Sequence, residues 1–223
     1  MEKYNDKSIQ EQFRIWKENY LLKNQSFIFN LFYIFYMNVI ECKSCHNKTY
    51  TYQSMNFLDL PIVSENKRFK NIEECFERYQ MIKNLETNCL KCKKVGCTQN
   101  FILLELPPVL IINLKRVGKN QAYLNGIKIP FRLNMKKLIK NIENNSIYEL
   151  RGFIKHIGDE KSGRNFAFCK NMFDNKWYEY NDSISRFIDG KPELDKIFFL
   201  CYSKVGKEVE NAKYLQKIVD SFN

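Results

Sequence analysis

Apolar residues recur at Ile9, Phe13, Trp16 and Tyr20, in steps of four, three and four. Those steps keep one helical face apolar and predict a helix over 7–23. Ser26 offers an N-cap to a second, short helix running through Leu31 and Phe32. The run from Phe27 to Tyr36 is apolar except for Asn30. A spanning helix needs about 20 apolar residues, so this run reads as buried helix passing into strand.

Further on, the period shifts toward two. Val39 and Ile40 form a strand, and Thr49 to Tyr52 are strand formers. Phe57-Leu58-Asp59-Leu60 alternates and stops at Pro61. Ile72, Cys75, Phe76 and Tyr79 return to helical steps. Phe101 to Leu106 is a strand halted by Pro107-Pro108, and Val109 to Leu114 is a nearly continuous apolar run, the mark of a strand covered on both faces. Residues 118–126 read as an exposed loop. Ile127 to Phe131, Tyr148 to His156 and Ile197 to Tyr202 read as strands, with two more marked by Phe166, Phe168, Trp177, Tyr178 and Tyr180. Trp177 is expected to be mostly buried. Val209, Ala212, Leu215, Ile218 and Phe222 predict a terminal helix. One α+β unit fits this order.

Two cysteine pairs stand out, Cys42/Cys45 and Cys89/Cys92, each with two residues between the thiols. That spacing lets both sulfurs of a turn face one ion, and four thiolates in a tetrahedron make a closed structural zinc site. A redox dithiol normally comes once, beside a βαβ pattern. His46 follows Cys45 directly and reads as a bystander. Four thiolates and Zn²⁺ leave a charge of about −2, which Lys43, Lys48, Lys91, Lys93 and Lys94 are suited to offset.

Composition adds little to that picture. Net charge is +11 over 223 residues, but the lysines are scattered. A nucleic-acid reader would cluster them with stacking aromatics, so nucleic acid is not the expected partner. Nor is a membrane. Eight cysteines behind an N-terminus without an apolar h-region fit a reducing, intracellular setting, cytoplasmic or nuclear.

The order of landmarks resembles the ubiquitin-specific proteases, cysteine peptidases that cleave after ubiquitin's C-terminal glycine. The resemblance is carried by Leu31-Phe32, Cys42/Cys45, Phe57 to Pro61, Glu74-Cys75-Phe76, Cys89/Cys92, Leu106-Pro107-Pro108-Val109-Leu110 and Leu114-Lys115-Arg116. Val117 and Ile129 stand where the family has phenylalanine. The closest match lies in His156-Ile157-Gly158, Ser162-Gly163, Ala167 to Asn171, Trp177 to Asp182 and Phe199 to Tyr202. It implies a papain-like fold with zinc-ribbon fingers and an antiparallel palm sheet, most of the thumb being missing. The implied division is 1–30 as a helical remnant of the thumb, 31–105 as fingers, 106–204 as palm and 205–223 as a C-terminal helix.

The resemblance also implies an active site that this chain does not complete. The family's nucleophilic cysteine opens the domain, whereas no cysteine here precedes Cys42. Arg164 stands at the family's histidine position and Asn181 at its Asp/Asn position. Arginine cannot accept the nucleophile's proton. Cys75, Cys97, Cys169 and Cys201 remain, of which Cys169 and Cys201 are expected as small buried hydrophobes. The chain is therefore expected to be an inactive relative that binds ubiquitin or a ubiquitinated protein, weakly. The competing expectation is the C-terminal part of an active deubiquitinase whose cysteine box lies outside this chain.

Overall fold

The computed structural model describes residues 7–64, 67–115, 126–138, 146–158 and 162–206. Its elements are α1 (Lys7–Asn24), α2 (Phe27–Phe32), β1 (Ile34–Cys42), β2 (Lys48–Met55), β3 (Leu58–Pro61), β4 (Val63–Ser64), β5 (Lys67–Arg68), α3 (Ile72–Tyr79), β6 (Lys83–Asn88), β7 (Val95–Glu105), β8 (Val109–Lys115), β9 (Arg132–Asn134), α4 (Met135–Leu138), β10 (Ile147–Gly158), β11 (Gly163–Lys170), β12 (Trp177–Asn181), β13 (Ile184–Ile188) and β14 (Ile197–Lys204). One antiparallel sheet has the order β2-β1-β7-β6; the larger runs β13-β12-β11-β10-β14-β8-β3, with β9 on β10. β3 joins β8 in parallel.

The larger sheet carries the core. Leu110, Ile112 and Leu114 are buried on one face of β8 against Leu58, Leu60, Leu200 and Tyr202, and α3 adds Ile72, Cys75 and Phe76. Each such side chain contributes about 1.5–3 kcal/mol. Val109, Ile111 and Asn113 are only half-buried, so β8 packs tightly on one face rather than the expected two. Asn71 caps α3, its side chain accepting from the Glu74 N–H at 2.9 Å. Two buried tyrosines find carbonyl partners: Tyr148 donates to Pro107 O at 2.6 Å and Tyr202 to Pro130 O at 2.7 Å.

α1 presents its expected face to the smaller sheet. Phe13 and Trp16 pack on Phe35 and Tyr52, with ring centroids 5.6 to 6.0 Å apart. The Tyr52 hydroxyl donates to Ile9 O at 3.1 Å. Ser26 caps α2 as expected, accepting from the Phe29 N–H at 3.0 Å, and the run from Phe27 does pass from helix into β1.

Other segments differ from the sequence reading. β6 and the first half of β7 form strands where no alternation announces them. Residues 127–131 make only an isolated bridge, Lys128 with Asn71; Pro130 has no N–H to extend it, although Ile127 and Ile129 are buried. β9, α4 and β13 were not anticipated. Arg116, Val117, residues 159–161 and the terminal helix beyond Gly206 lie outside the described residues, as does nearly all of the expected loop at 118–126.

Trp177 is buried at 4% exposure, against Phe131 and Phe153 at 6.0 and 5.8 Å. Trp177→Ala is expected to cost about 3–5 kcal/mol in chemical denaturation; a cost under about 1 kcal/mol on that scale would contradict this packing. Lys155 is also buried, paired with Asp195 and lying 5.2 Å from the Phe168 ring centroid. Burial pushes the Asp195 carboxyl up, but the Lys155 hydrogen bond and charge outweigh it, and the group ends below its usual range. A depressed carboxyl stabilises above its unfolded value, about 3.9, and that contribution is lost as pH falls through the folded value. Asp195→Asn is expected to flatten this acid limb of the stability profile; an unchanged limb would refute the pairing.

Candidate metal centre and candidate active-site corner

The two knuckles are built alike. In the first, His46 N donates to Cys42 O at 3.0 Å and Cys42 N to Asn47 O at 3.0 Å. In the second, Lys93 N donates to Cys89 O and Cys89 N to Lys94 O, both at 2.9 Å. The residue after each second cysteine, His46 or Lys93, takes a left-handed backbone, φ 55° and 63°. The Ser44 and Lys91 amides point at the Cys42 and Cys89 sulfurs at 3.4 Å. Each turn thus aims two thiols the same way, and β1, β6 and β7 bring the turns together.

All four sulfurs lie within 4.8 Å of one another, and among the described residues they are the one such group. Cys42 Sγ lies 3.6 Å from Cys92 Sγ, and Cys45 Sγ 3.7 Å from Cys89 Sγ. A tetrahedron with bonds of about 2.3 Å has edges of about 3.8 Å. The donor set therefore fits structural zinc. The Cys45 and Ser44 amides draw the Cys42 thiol well below its usual range; those of Cys92 and Lys91 lower Cys89. Cys45 goes the other way: the Asn47 amide holds it down, but burial and the thiols of Cys92, Cys42 and Cys89 prevail. A cation takes over from these shared protons. His46 is outside the group; its side chain is 77% exposed, near Glu41, which also pairs with Lys48 at 3.2 Å.

The second candidate site is at the β10–β11 hairpin. Arg164 is exposed there, opposite Ile157. Asn181 ends β12; continuing the register from Ala167–Tyr180 by one step sets it opposite Phe166. Arg164 and Phe166 are two residues apart, so Arg164 and Asn181 share a face. His156 pairs with Asn165 and lies on the opposite face. Its Nδ1 meets Asn165 Oδ1 at 2.9 Å, and its ring covers Gly163, where an added Cβ would lie 2.3 Å from Nε2.

The remaining thiols are dispersed. Cys75 is buried in the core. Cys169 in β11 and Cys201 in β14 flank Gly152 from the two sides of β10. Cys169 lies at the sheet surface rather than buried as expected, yet desolvation raises both thiols, Cys201 to about 11. Cys97 is directly opposite Cys42, a placement that strand register alone reveals.

One equivalent of zinc is expected per chain. Cys42→Ser or Cys89→Ser is expected to abolish it and to unfold the finger strands, as read by metal analysis and by amide exchange; a folded, never-chelated chain without zinc would defeat the assignment.

Residues 2–215 match the family described as ubiquitin carboxyl-terminal hydrolase. The chain is 30% identical over 182 residues to ubiquitin carboxyl-terminal hydrolase 8 of Saccharomyces cerevisiae, covering 73% of this chain and 38% of that protein. It is 28% identical over 175 residues to ubiquitin carboxyl-terminal hydrolase Usp2 of Drosophila melanogaster, covering 75% and 19%. Its fold is similar to that of the SAGA DUB module Ubp8/Sgf11/Sus1/Sgf73 bound to monoubiquitin, with TM-score 0.69, 24% identity, and 88% of this chain and 47% of that one covered. It is also similar to the Ubp8 module bound to ubiquitin aldehyde, with TM-score 0.67, 24% identity, and 88% and 48% covered. The chain thus spans less than half the length of each of these relatives. With the paired knuckles and the strand order, the match over 2–215 identifies the chain as a member of the ubiquitin carboxyl-terminal hydrolase family, the ubiquitin-specific proteases.

Proposed function

We propose that this chain is a ubiquitin-specific-protease-like protein that binds ubiquitin or a ubiquitinated protein without hydrolysing it. Arg164 carries the reading. By the resemblance it occupies the family's histidine position, beside Asn181 on one face of the palm. Thiol hydrolysis needs a nucleophile and a group that takes its proton and later returns it to the leaving amine. A guanidinium stays protonated and has no lone pair to accept with. A general base contributes about 10² to 10⁴-fold, so its loss is severe by itself. His156 faces the other way, and Cys169 and Cys201 are raised rather than activated.

Support for binding comes from the fold. Proteins of this architecture are described in complex with monoubiquitin and ubiquitin aldehyde, and the resemblance implies that fingers and palm hold ubiquitin's globular body. That surface does not require a working triad. In this reading 1–30 is the remnant of the thumb, 31–105 the fingers, 106–204 the palm and 205–223 a closing helix. Ubiquitin's tail carries arginines, which the family meets with acidic residues; at +11 this chain offers fewer, so binding is weak. The eight free cysteines suit a reducing cytoplasm or nucleus.

The second reading, a C-terminal part of an active hydrolase, is favoured by the short span of the relatives that it covers. A missing segment does not explain a replaced histidine.

The zinc-loaded chain is expected neither to hydrolyse a ubiquitin C-terminal fluorogenic amide nor to couple to a thiol-trapping ubiquitin probe. Arg164→His alone is expected to rescue nothing. Labelling at Cys75, Cys97, Cys169 or Cys201, with turnover that vanishes when that residue is mutated, would overturn the proposal.

A further inference from the structure

Cys97 is a buried thiol that the metal centre does not use, and it lies in β7 directly across from Cys42 in β1. The neighbouring hydrogen bonds fix the kind of pair. Lys43 N donates to Gly96 O at 3.1 Å, so residues 43 and 96 are a hydrogen-bonded pair. Antiparallel pairs alternate, which makes Cys42 and Cys97 a non-hydrogen-bonded pair, with Cα atoms about 4.5 Å apart and side chains on one face. A disulfide spans Cα separations of about 4.4–6.8 Å. Both residues are nearly inaccessible, at 1% and 2% exposure, and share a cluster with Cys89. The Cys97 thiol now hydrogen-bonds to Thr87 O at 3.7 Å, a weak contact that a χ1 rotation surrenders. Cys169 and Cys201 make a useful contrast. They flank Gly152 from strands two places apart, about 9.5 Å by strand spacing, beyond disulfide reach.

We propose that Cys42 and Cys97 form an oxidative modification site: a peroxide joins them in a cross-strand disulfide that withdraws Cys42 from the metal centre, and thiol reduction reverses it. In the first step a local opening of the knuckle, whose Cys45 is already exposed, admits the peroxide, and the Cys42 thiolate attacks one of its oxygens. The S–O bond forms, the O–O bond breaks, and the departing hydroxide takes a proton to become water, leaving a sulfenic acid. In the second step the Cys97 sulfur attacks the Cys42 sulfur. The S–S bond forms, the S–O bond breaks, and a second water leaves with the Cys97 proton. Two thiols lose two electrons and one peroxide gains them. Cys97 thereby intercepts the sulfenic acid before it reaches the irreversible sulfinic stage. The staple also holds β1 to β7 at the point where the clamp opens, so the strand pair outlasts the metal.

The test uses the zinc-loaded full chain, treated with hydrogen peroxide, alkylated, and digested without reduction for peptide mapping, while a metallochromic indicator follows zinc. A Cys42–Cys97 linked peptide is expected as the main disulfide, appearing in step with zinc release, and dithiothreitol with added zinc is expected to restore the metal content. Cys97→Ser, which keeps a donor for Thr87 O, is expected to bind zinc as before. After peroxide it is expected to form no such link, to collect sulfinic acid at Cys42 and to lose the recovery. Cys42 linked instead to Cys45 or Cys89, with Cys97 alkylated, would overturn the proposal. So would full recovery of zinc by Cys97→Ser. If that variant fails to load zinc, the wild-type linkage map decides.

Discussion

Closure of two distant turns on one point is the constraint on which the finger region depends. β1 begins at Ile34 in the palm core and ends at Cys42 in the thiol cluster, a run of about 30 Å at strand rise. Near the palm, α1 covers the sheet with aromatic rings. Farther out, burial is confined to Ile9, Met37, Val39 and Ile102, and then to the cysteines themselves. β6 is exposed along nearly its whole length. A strand with so little apolar surface cannot offset its ordering entropy by packing. Four thiolates sharing a cation do in a small volume what a core does elsewhere, and the matched backbone of the two knuckles aims them at one point.

The palm stands on other physics. Its core is continuous, with buried tyrosines satisfied by proline carbonyls and one buried lysine matched to an aspartate. None of those contacts involves Arg164 or Asn181, which lie at the open end of the sheet. A substitution there need not disturb the scaffold, as expected when function is a site grafted on a fold. The hairpin keeps Gly163 beneath the His156 ring, a constraint on shape that does not depend on the side chain at residue 164.

The legible parts of the sequence were those with a period or a fixed spacing. The α1 face, the capped α2, α3 and the paired cysteines all announce themselves locally. β6 did not, because Lys83 to Asn88 is an edge strand open on both faces and has no reason to alternate. The first half of β7 is half-buried and polar, so only its apolar end was visible. The apolar run of β8 suggested cover on both faces; the face of Leu110, Ile112 and Leu114 packs into the core with α3, while the face of Val109, Ile111 and Asn113 is only half-buried. Ile127 to Phe131 had the hydrophobicity of a strand but lacked the free N–H at Pro130. Register was the deepest gap: that Cys97 meets Cys42, and that His156 turns away from Arg164, follows from strand pairing that no single segment encodes.

The metal clamp and the proposed function meet in one measurement, titration of isotope-labelled ubiquitin with the zinc-loaded chain and with the same chain stripped of zinc, followed by NMR. If clamped fingers hold ubiquitin beside a palm that has no proton acceptor, the loaded chain produces saturable shifts, the stripped chain loses them, and the ubiquitin tail is intact at the end. Unchanged spectra with the loaded chain, equal shifts with the stripped chain, or cleavage of a tail extension would contradict the account.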